Sequence, residues 1–365
     1  MNFFHTHISK DAARRVADVL ETTFVSEGAT VKEFEDELSA HLGIRNPVAV
    51  NSGTSALHLG LQLAGVGAGD EVILPAQTFV ASGLSILTTG AAPVFADIDY
   101  ETGNLDLASV RAKLSDKTKA IMPVHWAGYP CDMDELNALA EERNLAVIED
   151  AAHALGATYK GKPVGALSDF TAFSFQAIKH LTTGDGGAIA CRDAETAERA
   201  KALRWFGIDR RRAEPSILGE RKYDLNEVGY KYHMNNYAAA LGLANLDDFP
   251  AILARRREIG LRYRETLANV DGLRLLEAKE DRESAYWQFT VLVERREDFI
   301  RALKERGVPA SVVHLRIDEN SVFGGKTPGL ENQERFNERQ VGLPIHNGLS
   351  DEDVETVLSS IKAGW

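Results

Sequence analysis

The chain has 365 residues with 44% hydrophobic content, enough to bury a sizeable core in two domains, or in one large domain with a lobe. Its formal net charge of −13 argues against nucleic acid or an anionic membrane surface as the main partner. Two cysteines give no disulfide framework, no apolar run approaches membrane-spanning length, and the first residues lack a signal-peptide pattern, so a soluble cytoplasmic protein is expected.

The first two thirds alternate short apolar runs with helical patterns. Pro47 to Val50 reads as a strand and Thr54 to Leu63 as a helix. A strand over Glu71 to Pro75 precedes a helix from about Phe79. Pro93 to Asp97, Ala120 to Val124 and Leu145 to Asp150 repeat the strand pattern, with helix signals such as Asp132 to Leu136 between them. Strands apolar along their length and separated by helices predict a mainly parallel sheet covered on both faces. Phe170 to Phe175 and Gly187 to Cys191 follow each other without a helix, so one strand is expected to be antiparallel. The charge-rich stretch Asp209 to Tyr223 reads as a surface loop. From about Pro250 the order becomes helix, strand, strand, helix, strand, helix, with helices at Glu258 to Leu267, Asp298 to Arg306 and Asp353 to Ile361 and strands at Leu273 to Leu276, Gln288 to Val293 and Ala310 to Val313. This predicts a large domain over 1–250 and a smaller C-terminal α+β domain over 251–365.

Three places carry chemistry. Asn51-Ser52-Gly53-Thr54-Ser55 lies between a strand and a helix; it fits a phosphate cradle of free backbone N–H groups and hydroxyls, and equally an ordinary helix cap. Asp150 ends the fifth strand, where a buried carboxylate wants a cationic partner such as a protonated pyridine nitrogen, or else caps a helix. His153 follows three residues later. Lys179 lies between the apolar run from Phe173 and the turn Gly184-Asp185-Gly186-Gly187. Apolar neighbours lower a lysine's pKa, as an amine that attacks a carbonyl requires. Ser174 offers a hydroxyl to a phosphate or to the backbone. Phe79, at a strand end, fits a stacking aromatic or a core residue. Lysine, carboxylate and phosphate cradle together suggest pyridoxal phosphate chemistry.

These runs, with Pro123-Val124-His125-Trp126-Ala127-Gly128, Glu149 to His153 and Gly229-Tyr230-Lys231-Tyr232-His233-Met234, occur in the order found in the DegT/DnrJ/EryC1/StrS family of sugar aminotransferases. The chain resembles that family up to about Leu246, and more loosely through Leu343 to His346. The resemblance implies fold type I, with a mainly parallel mixed seven-stranded sheet and a smaller C-terminal domain. It implies pyridoxal 5′-phosphate as cofactor and no metal. Lys179 becomes the Schiff-base lysine and proton carrier, and Asp150 the partner of the pyridine nitrogen. Phe79 stacks on the ring, His153 lies near its 3-hydroxyl, and Gly53, Thr54 and Ser174 hold the phosphate. An amino acid donor, L-glutamate, and a nucleotide-linked keto-deoxysugar are implied as substrates, with neither nucleic acid nor membrane as a partner. A homodimer with shared sites is also implied, in which Lys231 reaches the neighbouring subunit's phosphate. A cyclic ketone such as a cyclitol, or a non-catalytic paralogue, stands as the alternative. Two positions depart from the family pattern: Lys231 and His180 each stand where asparagine is usual. Lysine at 179, rather than histidine, favours transamination over dehydration.

Other motifs are weaker. Gly65 to Gly69 reads as a helix-ending turn, and His5-Thr6-His7 as a flexible terminus rather than a metal site. Arg210-Arg211-Arg212 reads as a solvated loop or a site for a nucleotide diphosphate. Val25 to Gly28 and His314-Leu315-Arg316 are expected to shape the acceptor pocket.

Overall fold

The computed structural model of the protein describes residues 1–210 and 214–365. Two helices open the chain, α1 (Ala12–Glu21) and α2 (Ala29–Leu42). A seven-stranded sheet comes next: β1 (Pro47–Val50), β2 (Glu71–Pro75), β3 (Ala92–Ala96), β4 (Thr118–Ile121), β5 (Ala146–Asp150), β6 (Phe170–Ser174) and β7 (Gly187–Cys191). Its order is β1-β7-β6-β5-β4-β2-β3. All pairings are parallel except those of β7, which runs antiparallel to both β1 and β6. The expected mixed sheet is present. β1, β6 and β7 are buried almost throughout, because helices cover both faces of the sheet, which is why these strands read as continuous apolar runs.

The helices that position the site are α3 (Gly53–Leu63), after β1, and α4 (Val80–Thr88), after β2. Between strands also lie α5 (Leu107–Lys113) and α6 (Met133–Arg143), and α7 (Ala194–Leu203) comes after β7. Ser52 caps α3 by accepting a hydrogen bond from Ser55 N, so α3 begins at the sheet's C-terminal edge.

The helix expected near residues 258–267 is the end of a much longer one, α8 (Asn236–Leu267). At 1.5 Å per residue it is about 48 Å long. Its first half packs Ala239, Leu243 and Phe249 into one core with Phe34 and Phe173. Its second half packs Ile259, Tyr263 and Leu267 into a separate core. Pro250, where a domain junction was expected, sits inside this continuous helix. The second core is closed by β8 (Leu273–Leu275), β9 (Phe289–Val293), α9 (Arg296–Glu305), β10 (Gln340–Leu343) and α11 (Asp351–Lys362), while α10 (Glu331–Arg339) buries Phe336 in another cluster with Trp126. The three strands form an antiparallel sheet in the order β8-β9-β10. The strand expected at Ala310 to Val313 is reduced to one bridge, Ser311 to Gly342; β10 supplies the third strand instead.

Two surface expectations are refined. Residues 214–223 are mostly exposed but contain a short antiparallel ribbon, Glu214–Pro215 with Arg221–Lys222. The N-terminal segment is tied down: His7 Nε2 meets Asp248 Oδ2 at 2.8 Å, Ser9 N donates to Asn245 at 2.8 Å, and His5 stacks on His346. Among the described residues no helix is long and apolar enough to cross a membrane.

A buried ion pair joins α2 to the end of α7. Arg204 contacts Glu35 and Glu27, and also donates to Ala49 O at 2.6 Å, while Glu35 accepts from Ala49 N at 2.9 Å. Removing one partner of such a pair leaves a buried charge without full compensation. Glu35→Ala is therefore expected to lower stability by about 3 kcal/mol, read as an earlier midpoint in chemical denaturation.

Candidate active site

One cavity of about 340 Å³ opens at the C-terminal edge of the parallel strands. This is where α/β sheets place ligands, because loops leaving adjacent strands diverge there. β1 exits into Ser52, Gly53 and Thr54, β2 into Thr78 and Phe79, β5 into Asp150, and β6 into Ser174. The turn between β6 and β7 adds Lys179.

The first wall is a cradle. Gly53 opens α3, and a Cβ placed there would lie 2.9 Å from Ser174 Cβ and 3.3 Å from its Cα. Any side chain would fill the space between the helix end and Ser174. The hydroxyls of Thr54 and Ser174 and the free N–H groups of the first turn border this gap, a donor set suited to phosphate.

Asp150 forms the floor and is 6% exposed. Its Oδ2 accepts from Ser82 Oγ at 2.6 Å and its Oδ1 from Ala152 N at 3.1 Å. Ser82 is in turn paired with Thr78 Oγ1 at 2.6 Å. Among the described residues only uncharged donors touch the carboxylate, which leaves it open to a ligand cation. Behind it, buried Glu149 accepts from Thr171 Oγ1 at 2.7 Å and meets His125 Nε2 at 2.8 Å. Burial opposes a charge on His125, but Cys131 and Glu149 beside it outweigh this and raise its pKa.

Lys179 sits on a turn after β6, its N–H bonded to Gln176 O at 2.9 Å. Burial lowers its amine pKa to about 7, against the opposing pull of Asp150. The far wall comes from distant sequence. Trp287 stacks on His153, with ring centroids 3.7 Å apart and planes within 5°, and His314 lies parallel at 5.7 Å from His153. Burial holds His153 well below the ordinary histidine value, and His314 down at about 4, the Lys179 charge adding to both. Both rings are neutral at physiological pH. Among the described residues Nδ1 of His153 is buried without a partner. Phe79 is 53% exposed, its ring 5.3 Å from that of His314.

The structure thus brings Gly53, Thr54, Phe79, Asp150, His153, Ser174 and Lys179 to one cavity. Lys231 is not part of it. Lys231 is exposed, with its Nζ 4.0 Å from the centroid of Trp205, and Arg210 covers the same ring at 4.2 Å. Arg211 and Arg212 lie outside the described residues. Of the expected acceptor loop, His314 lines the cavity, whereas Arg316 is buried against Asp318 at 2.6 Å and 2.7 Å. His180 has a clear place: buried, its pKa held well below the ordinary value by burial, it donates from Nε2 to Ala285 O at 2.8 Å. Trp287 and Ser82 carried no sequence signal, since a contact across 109 or 68 residues has no local pattern.

The comparisons assign the chain to a family. The model of the DegT/DnrJ/EryC1/StrS aminotransferase family matches residues 6–362. The chain belongs to that family. GDP-perosamine synthase of Caulobacter vibrioides is 37% identical, covering 95% of this chain and 93% of its own length. UDP-4-amino-4-deoxy-L-arabinose–oxoglutarate aminotransferase of Shewanella sediminis is 34% identical, over 95% and 93%. The crystal structure of the sugar aminotransferase CalS13 from Micromonospora echinospora superposes with a TM-score of 0.95 at 36% identity, covering 100% of both chains. Enzymes of this family depend on pyridoxal 5′-phosphate.

The residues present fit that cofactor. A cradle that a Cβ would fill, a buried carboxylate with only neutral donors, an unpartnered His153 Nδ1 and a pKa-lowered lysine face one space. Gly53→Ala is expected to keep the fold and weaken pyridoxal phosphate binding roughly tenfold, about 1.4 kcal/mol, in a fluorescence titration. A lowered pKa means that the neutral amine predominates above the midpoint. Acylation of Lys179 in the cofactor-free protein is therefore expected to rise through about pH 7, well before that of surface lysines, as followed by mass spectrometry.

Proposed function

We propose that this protein transfers an amino group from L-glutamate to a keto-deoxysugar carried on a nucleotide diphosphate, serving amino-sugar or polysaccharide biosynthesis in the cytoplasm. The observation that carries the reading is the meeting of Lys179, Asp150 and the Gly53–Ser174 cradle in one cavity. The relative named for a UDP-linked amino-deoxyarabinose and oxoglutarate supports both the nucleotide-linked acceptor and the glutamate donor.

When bound, pyridoxal phosphate supplies the carbonyl that takes up the amino group and a ring that withdraws electrons from the reacting carbon. The first turn of α3, with Thr54 and Ser174, holds the phosphate. Asp150, oriented by Ser82 and Ala152, would pair with the ring nitrogen and keep it protonated. Phe79 and His153 would hold the ring, Phe79 as a stacking aromatic and His153 through its free Nδ1. Lys179 Nζ, with a pKa near 7, is poised as a base close to working pH. It takes the proton from the α-carbon of the amino acid. In the second half it delivers a proton to the former carbonyl carbon of the sugar. The stacked wall of Trp287 and His314 excludes water from that side.

Lys231 has its role in a homodimer, where its charge reaches the cofactor phosphate of the partner subunit. Its exposure and its absence from its own chain's cavity support this. A solution mass of twice 40.0 kDa by light scattering is the expected result.

The test is the visible absorbance of protein loaded with pyridoxal phosphate, before and after L-glutamate. A long-wavelength band that glutamate converts is expected, then its recovery on adding a nucleotide-linked keto-sugar. Recovery only with a cyclitol ketone would move the acceptor to that class, and no band at all would sink the cofactor assignment. Lys179→Ala and Asp150→Ala are expected to retain native circular dichroism while losing at least about 10²-fold in turnover.

A further inference from the structure

The turn that carries Lys179 is clamped to a segment more than a hundred residues away. Trp287 Nε1 donates to Ile178 O at 3.2 Å, and His180 Nε2 donates to Ala285 O at 2.8 Å. These bonds flank Lys179 by one residue on each side. Between them the lysine side chain meets the indole, its Nζ 4.0 Å from the ring centroid. That is within the range at which a cation is drawn to an aromatic face. Trp287 has no freedom to withdraw: it is 1% exposed, stacked on His153 at 3.7 Å, and backed by Phe4 at 5.3 Å.

We propose that Trp287 is the positioning residue for Lys179: its indole face is the resting seat of the free amine, and its N–H fixes the turn from which the lysine swings. The inference rests on Lys179 being the working amine of the proposed reaction. Such an amine must be neutral in one step and an ammonium in another. Burial alone would drive it to the neutral form. A carboxylate in hydrogen-bond contact would trap it as the ammonium, and Asp150 acts on it by charge alone, without such a bond. An aromatic face lies between these extremes, attracting the ammonium weakly and offering no acceptor for a strong hydrogen bond. It also keeps the freed amine beside the cavity rather than paired with Asp150.

The other groups around the amine do not blur a measurement of this effect. His153, His180 and His314 are all held below the ordinary histidine value, and so stay neutral above pH 6.5, the upper part of the window in which Lys179 titrates. Asp150 and Asp185 line the same cavity, and Arg256 acts on His180 from behind.

The experiment measures the pH midpoint of Lys179 acylation by mass spectrometry, in cofactor-free wild type, Trp287→Phe and Trp287→Leu. Removal of the ring is expected to lower the midpoint in Trp287→Leu by about 0.5–1 pH unit, with Trp287→Phe close to wild type. A midpoint in Trp287→Leu that is unchanged or raised overturns the seat, as does a shift in Trp287→Phe as large as in Trp287→Leu. Should the leucine variant not fold, tryptophan fluorescence of wild type and Lys179→Met decides. A step near pH 7 in wild type, missing from Lys179→Met, supports the seat, and its absence from wild type overturns it. No donor, acceptor or cofactor enters these measurements. A protein that seats its amine yet shows no transamination would sink the proposed function alone, and the converse result would sink the seat alone.

Discussion

Strand direction is the constraint on which the site depends. Six of the seven strands of the large sheet run the same way, so all six leave it at one edge, and the loop after each strand begins there. The reversed strand β7 completes the arrangement. A chain that passes from β6 to an antiparallel neighbour must turn at the C-terminal edge of β6, and that turn holds Lys179. The lysine therefore reaches the same edge as the cradle after β1 and the carboxylate ending β5. The close approach at Gly187, where a Cβ would lie 2.6 Å from Ser52 and from Phe173 O, packs the three strand ends tightly.

Burial then assigns each group its charge state. The same desolvation that lowers the Lys179 amine to about 7 also keeps His153 and His314 uncharged. Asp150 differs in being held by a serine hydroxyl and a backbone N–H, neither of them charged. The outcome is a carboxyl floor, an amine with a lowered pKa, and a neutral aromatic wall. Such a division suits a cationic ring over the floor and proton transfer above it.

Much of this was legible in the sequence because it is local. Most strands of the large sheet contain short apolar runs, β5 and β6 end in the polar residues Asp150 and Ser174, and Gly53 follows β1 at the start of α3. What was missed is non-local. The helices α1 and α2 are covered largely by contact with α8, and only the last part of α8, Glu258 to Leu267, is legible in the sequence. Its first half, Asn236–Phe249, is buried on most sides, so it shows no simple polar–apolar period. Helix α8 also crosses Pro250, which reads as a break; the burial of its two halves in separate cores offsets the cost of the proline and keeps the helix continuous. Trp287 stands just before an ordinary small-lobe strand, and only the fold places its indole beside residues 153 and 178. His180 looked like an unexplained departure because its partner, Ala285 O, is a backbone atom 105 residues on.

The wall facing Lys179 is fixed from behind. Gln333 donates to Gln77 at 2.8 Å, Gln77 donates to Gln340 at 3.0 Å, and Gln340 donates to His314 O at 3.0 Å. Ile317 N adds a bond to Ala76 O at 2.9 Å. These bonds tie the loop carrying His314 to the exit of β2, the same exit that presents Phe79. Arg316, buried against Asp318, also meets Glu334 at 2.7 Å. Its guanidinium is thereby committed to holding the loop to α10 and does not face a ligand. Desolvation offsets much of the attraction within such a pair, so its effect lies more in orientation than in net stability. A wall bonded to both lobes in this way does not act as a hinged lid. It presents His314 and Trp287 at set positions, and an acceptor must match the space between them and Phe79 as it stands.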